Sequence, residues 1–119
     1  MKLFIKGAIM GGKNHINITR TGHRYPSRSW AEWRDKTVAE FRKQLPDGFT
    51  MITKPCEIDV LYTPYDKRIR DTPAMLDAIY HCLEKAGIVE NDFLIKNVSW
   101  KEFSGLKKDA GVDICIEEF

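Results

Sequence analysis

Apolar positions repeat along this chain with two different periods, and the places where the period changes mark its elements. Residues 2–9 read as a buried strand, with Leu3 and Ile5 on one side, and Gly11-Gly12 break it. INITR and HRY flank Thr21-Gly22, which predicts a hairpin turn between them. Pro26-Ser27 then open a helix across 28–45, where Trp30, Trp33, Thr37, Val38, Phe41 and Leu45 recur at helical spacing. Pro46-Asp47-Gly48 end it. The period returns to two over 56–62, CEIDVLY, with Cys56, Ile58, Val60 and Tyr62 on one face.

A second helix is predicted from Pro73, with Thr72 as its N-cap. Its apolar face is read as Leu76, Ile79, Tyr80, Leu83 and Ala86, and Gly87 stops it. IVEND is a loop leading into a strand, FLIKNVSW. A polar bend precedes the last strand, VDICIEEF, with Val112, Ile114 and Ile116 pointing one way. Strands and helices alternate and then finish in two strands, so the expected fold is α+β: a two-layer sandwich of a mixed β-sheet and two main helices. There is no internal repeat or low-complexity linker, and 119 residues make one domain spanning 1–119.

Composition narrows the class without choosing a function. An apolar fraction of 43% and a charged fraction of 30% are ordinary for a globular chain, and no apolar run is long enough to span a bilayer. Lys6 interrupts the apolar start, so a signal peptide is not expected. Cys56, Cys82 and Cys115 form no CxxC, which argues for buried hydrophobes in a reducing cytoplasm rather than for disulfides or zinc.

Charge changes the picture more. Net charge is only +2, yet residues 1–31 hold six Lys or Arg and no acid, while 71–119 hold ten acids against five bases. Lys67-Arg68-Ile69-Arg70 form a tight basic run directly before Asp71. A basic half suggests a polyanionic partner, and carboxylates beside the basic run suggest a divalent cation at the same place.

Hard cations such as magnesium take oxygen ligands, with one or two carboxylates completed by water and phosphate. Asp71 precedes the second helix and Asp77 lies inside it, leaning back toward its start. His81 continues the same polar face. Asp92 follows in the loop, and spacing alone does not return that loop to the helix start. The same acids would also suit the macrodipole or ordinary solvation.

Ordered along the chain, these landmarks resemble the RusA family of Holliday junction resolvases, small phage and prophage endonucleases. GGKNH at 11–15 resembles that family's N-terminal loop, and GHRYPSRSWAEWRDK at 22–36 its Gly-Arg-x-Tyr-x-Ser segment and aromatic first helix. KRIRD at 67–71 is similar to its basic run ending in a catalytic Asp, and LEKAGIVENDFLI at 83–95 to its Leu-x-x-Ala-Gly-Val-Ile-x-Asp-Asp segment.

The resemblance implies a homodimer, dependent on Mg2+ with Mn2+ as a substitute, that binds branched DNA and nicks four-way junctions in recombination and repair. It implies that Asp71 and Asp92 hold metal and that the Asp92 loop folds back toward Asp71. Two positions depart from the family pattern: Pro73 stands where a second Asp belongs, and Asp77 where a lysine belongs. The expected catalytic and metal set is therefore a swapped one, Asp71, Asp77 and Asp92. Lys67, Arg68 and Arg70 would grip phosphates beside the cut, and Lys13, Asn14, Arg20, Arg24 and Arg28 would extend the contact along an arm. Arg70, Lys67, Lys13 or His81 could fill the vacant cationic role. The alternative is a branched-DNA-binding protein of the same fold that has lost catalysis.

Overall fold

In the computed structural model of the chain, residues 1–10, 16–18, 20–22, 24–67, 70–103 and 109–119 are described. The elements are β1 (Lys2–Lys6), β2 (Ile16–Ile18), β3 (Arg24–Pro26), α1 (Arg28–Gln44), β4 (Cys56–Thr63), α2 (Thr72–Lys85), β5 (Ile95–Glu102) and β6 (Gly111–Glu118), with a 3-10 turn at Asp92–Leu94. The short β2–β3 hairpin pairs antiparallel around the Thr21-Gly22 turn.

The main sheet has the order β1-β6-β4-β5. β6 runs antiparallel to both β1 and β4, whereas β4 and β5 are parallel with α2 as their crossover. The sheet is therefore mixed, and with two helices it makes the α+β two-layer sandwich that the alternating pattern predicts. The inward residues of the strands form the core side: Leu3 and Ile5, Cys56, Ile58, Val60 and Tyr62, and Val112, Ile114 and Ile116 are all buried. Phe41 of α1 and Ile79, Cys82 and Leu83 of α2 close that core from the helix side with no exposure at all.

Among the described residues, none of the helices covers the outward face of the sheet. Its residues follow from the register: Lys2 stands beside Cys115, Cys115 beside Asp59, and Asp59 beside Ser99, whose hydroxyl donates to the Asp59 carboxylate at 2.6 Å. Among the described residues no helix is long and apolar enough to cross a membrane.

Two glycines are required by their backbone. Gly87 turns the chain at the end of α2 with φ 76°. Gly111 opens β6 with φ 148°, and a Cβ there would run into the carbonyl oxygen of Ile5.

The predicted α1 stripe is matched, with Trp30, Thr37, Val38 and Phe41 buried and Trp33 and Leu45 packed at its border. The α2 stripe differs from the prediction. Ala74, Met75, Ala78, Ile79, Cys82 and Leu83 are buried, while Leu76 and Tyr80 sit at the margin. The small residues at 74, 78 and 82 are thus part of the buried face, and α2 approaches α1 closely.

Candidate functional site

The start of α2 is set by Asp71 rather than Thr72. Asp71 is the extended N-cap residue at φ −72° and ψ 108°, and its carbonyl accepts from the Met75 N–H at 3.1 Å. Pro73 is tolerated in the first turn because no N–H is needed there. The Asp71 side chain makes no capping hydrogen bond and is exposed.

Asp77 lies on the outer face of α2 and is exposed. Tyr80, three residues on, occupies the border between that face and the core. The path of the chain back to this border is built from local contacts. After Gly87, the Ile88 N–H donates to the Leu83 carbonyl at 3.0 Å, and Ile88 and Val89 are fully buried. The Ile52 N–H donates to the Ile88 carbonyl and the Glu90 N–H to the Ile52 carbonyl, both at 2.9 Å, which pins the segment beside the loop that follows α1. The Asn91 side chain then accepts from the Phe93 N–H at 3.2 Å, starting the 3-10 turn that packs against α2.

Asp92 thus returns to α2. Burial, together with the charges of Asp77 and Asp92, pushes the Tyr80 phenol above its usual range. Among the described residues no three His, Cys, Asp or Glu side chains group closely enough to hold a metal ion. The structure thus brings the turn that carries Asp92 against the helix that carries Asp77 and Tyr80.

Magnesium needs one or two protein carboxylates, with water and phosphate oxygens completing its shell. The exposed oxygen donors of Asp77 and Asp92 fit that requirement. His81 is turned elsewhere. Its ring lies 5.4 Å from that of Trp30, and Arg34 sits over the same indole at 5.3 Å. Burial, then Arg34 and Lys85, lower the His81 pKa against a smaller opposing pull from Glu84.

The basic candidates take varied positions. Arg20 and Lys67 are exposed, and Arg28 is an exposed cation paired with Glu32 at 2.9 Å. Arg24 lies on β3. Lys13, Asn14 and Arg68 lie outside the described residues. Arg70 is committed within the fold: its two terminal nitrogens donate to the two Asp66 oxygens at 2.9 and 3.1 Å, with the Tyr62 hydroxyl also in reach. This fork braces the loop that carries the basic run.

Two residues that spacing did not single out complete the site. Tyr80 was read as core, although its place three residues after Asp77 puts it on the same flank. Phe93, next to Asp92, is 67% exposed with the Lys96 ammonium 5.9 Å from its ring centre.

Cys56 and Cys82 are buried, as expected for small hydrophobes, while Cys115 faces the open side of the sheet. Comparison of the chain with family models and with curated protein sequences returns no match.

Proposed function

We infer that the chain is a magnesium-dependent, structure-selective endonuclease of the RusA type, a homodimer that resolves four-way DNA junctions by paired nicks during recombination and repair in the cytoplasm of a phage-bearing bacterial host. The observation that carries this reading is the packing of the turn bearing Asp92 against α2, the helix bearing Asp77, with both carboxylates exposed. Adjoining segments thus each offer an exposed carboxylate, the ligand type that a hard cation takes.

When bound there, magnesium would polarise the scissile phosphate and lower the pKa of a water. Asp77 and Asp92 hold the cation by their oxygens. Tyr80 presents a neutral hydroxyl between them, because burial and both carboxylates oppose its ionisation. Lys67 and Arg20 offer exposed charge to phosphates, and Phe93 offers an apolar ring to an unstacked base at the branch. Asp71, on this reading, joins through water or phosphate from the helix start.

The test is a labelled four-way junction incubated with purified protein, with and without magnesium. Paired incision in magnesium, abolished by Asp77→Asn with junction binding retained, is the expected result. Binding without incision in either magnesium or manganese would reject the nuclease. The second reading, a branched-DNA-binding protein without catalysis, draws support from Pro73 in place of an acid.

A further inference from the structure

The two edges of the sheet are treated differently by the sequence. At β1, the Gln44 side chain occupies the outward backbone groups of Phe4. At β5, the terminal strand on the other side, no further described strand pairs with the outer backbone. β5 is long, has no proline, and leaves Val98 44% exposed on the helix side of the sheet. Beside it, the buried indole N–H of Trp100 meets no acceptor among the described residues. An eight-residue strand with an open edge and an exposed apolar side chain is a template for another strand.

The direction of the free groups can be derived. The Phe103 N–H donates to the Tyr62 carbonyl of β4 at 2.8 Å. By alternation, Lys101 and Ser99 also aim their backbone groups at β4, and Val98, Trp100 and Glu102 aim theirs outward. An antiparallel partner must therefore set outward-facing residues opposite one another.

Pairing of β5 with itself meets this condition in one well-matched register, centred on Ser99. Val98 then faces Trp100 of the second copy and Trp100 faces its Val98, so each exposed valine gains an aromatic neighbour on the same face. Glu102 falls opposite Lys96, which occupies the bulge of β5, and the opposite charges flank the apolar pairs. A shift of two residues toward the C-terminus sets Val98 against Glu102. The reverse shift sets Lys96 against Trp100. Both lose the ion pair.

We propose that β5 pairs antiparallel with β5 of a second copy about a two-fold axis at Ser99, joining two four-stranded sheets into one. The occupant of this edge is this chain's own strand, because the strand is complementary to itself in charge and shape. This locates the homodimer of the preceding reading, but takes nothing from its metal chemistry.

Ser99 faces its own copy across the axis at a non-hydrogen-bonded position, where Cα atoms stand about 4.5 Å apart, within disulfide range. The experiment is mild oxidation of full-length Ser99→Cys in a Cys115→Ser background, with Asn97→Cys in the same background as control, alongside sedimentation of the unmodified chain. Expected are a dimer, rapid crosslinking through position 99 and little through position 97.

Val98→Pro removes an outward N–H while sparing the β4 ladder, and should weaken the dimer about tenfold or more, with an unchanged melting curve at dilutions where both proteins are monomeric. A chain that stays monomeric throughout would overturn the proposal and leave the edge to an extended segment of another protein. Equal crosslinking at both positions, or a dimer indifferent to Val98→Pro, would also overturn it by placing the interface elsewhere. Junction cleavage is scored separately, so a failed dimer and a failed nuclease give distinct results.

Discussion

The Gln44 side-chain amide pairs with Phe4 as a neighbouring strand would, accepting from its N–H at 2.6 Å and donating to its carbonyl at 2.9 Å. A residue from the last turn of α1 thereby closes the β1 edge. Replacement by alanine should cost about 1 kcal/mol in urea unfolding, since two exposed backbone groups return to water. The same variant should associate more readily at high concentration, which light scattering would detect.

Tyr80 reports on the carboxylate pair. Burial raises its pKa first, and Asp77 and Asp92 add to it. Asp77→Asn and Asp92→Asn should each lower the Tyr80 pKa, and the double variant should lower it further while burial keeps a residual shift. Tyrosine ring carbon signals followed against pH, with Tyr80→Phe to assign the resonance, would show this. The folded pKa lies above the unfolded value of about 10, so the stability held by neutral Tyr80 is complete below that pH. It is lost as pH rises through the folded value.

His81 gives the opposite sign at the acid end. Its pKa lies below 6.5, chiefly through burial and then through Arg34 and Lys85. Stability from the neutral ring is present above the unfolded value and is lost as pH falls through the folded one. Arg34→Gln should raise the His81 pKa, as read from imidazole proton shifts, and should flatten the acid limb of the stability profile. An unchanged His81 titration in that variant would contradict the account.

Gly111→Ala should be among the more damaging single changes outside the core. The new Cβ meets the Ile5 carbonyl at a backbone angle that only glycine adopts easily. A loss of about 2–3 kcal/mol is expected from the combined strain and clash, measured by thermal unfolding. Gly48→Ala, at a turn where the added carbon meets nothing within 4 Å, is the comparison that isolates the clash.

Much of this architecture was legible because burial follows period. Cys56, Ile58, Val60 and Tyr62 alternate in the sequence and all point into the core. Ser27 was readable as the opening of α1 because a hydroxyl before a helical run is an N-cap, and it accepts from the Trp30 N–H. The α2 face was harder. Alanine and cysteine carry little hydrophobic signal, yet Ala74, Ala78 and Cys82 are part of the buried face.

The return of the Asp92 loop was implied by the family resemblance alone and could not be read from spacing. It depends on Ile52 meeting Val89, a contact between two loops that no local period encodes. The order of strands was hidden for the same reason: the mixture of parallel and antiparallel partners around β4 is a property of the assembled sheet.

The place of β6 has a consequence for how the chain must assemble. It is the last strand in the sequence, yet it lies between β1 and β4, and the Met1 ammonium reaches the Ile116 carbonyl at 3.0 Å. A growing chain can pair β4 with β5 through α2 as soon as those residues are available. β1 has no strand to join until β6 fills the gap between them. β1 therefore waits for β6, and closing the sheet between β1 and β4 is a long-range step.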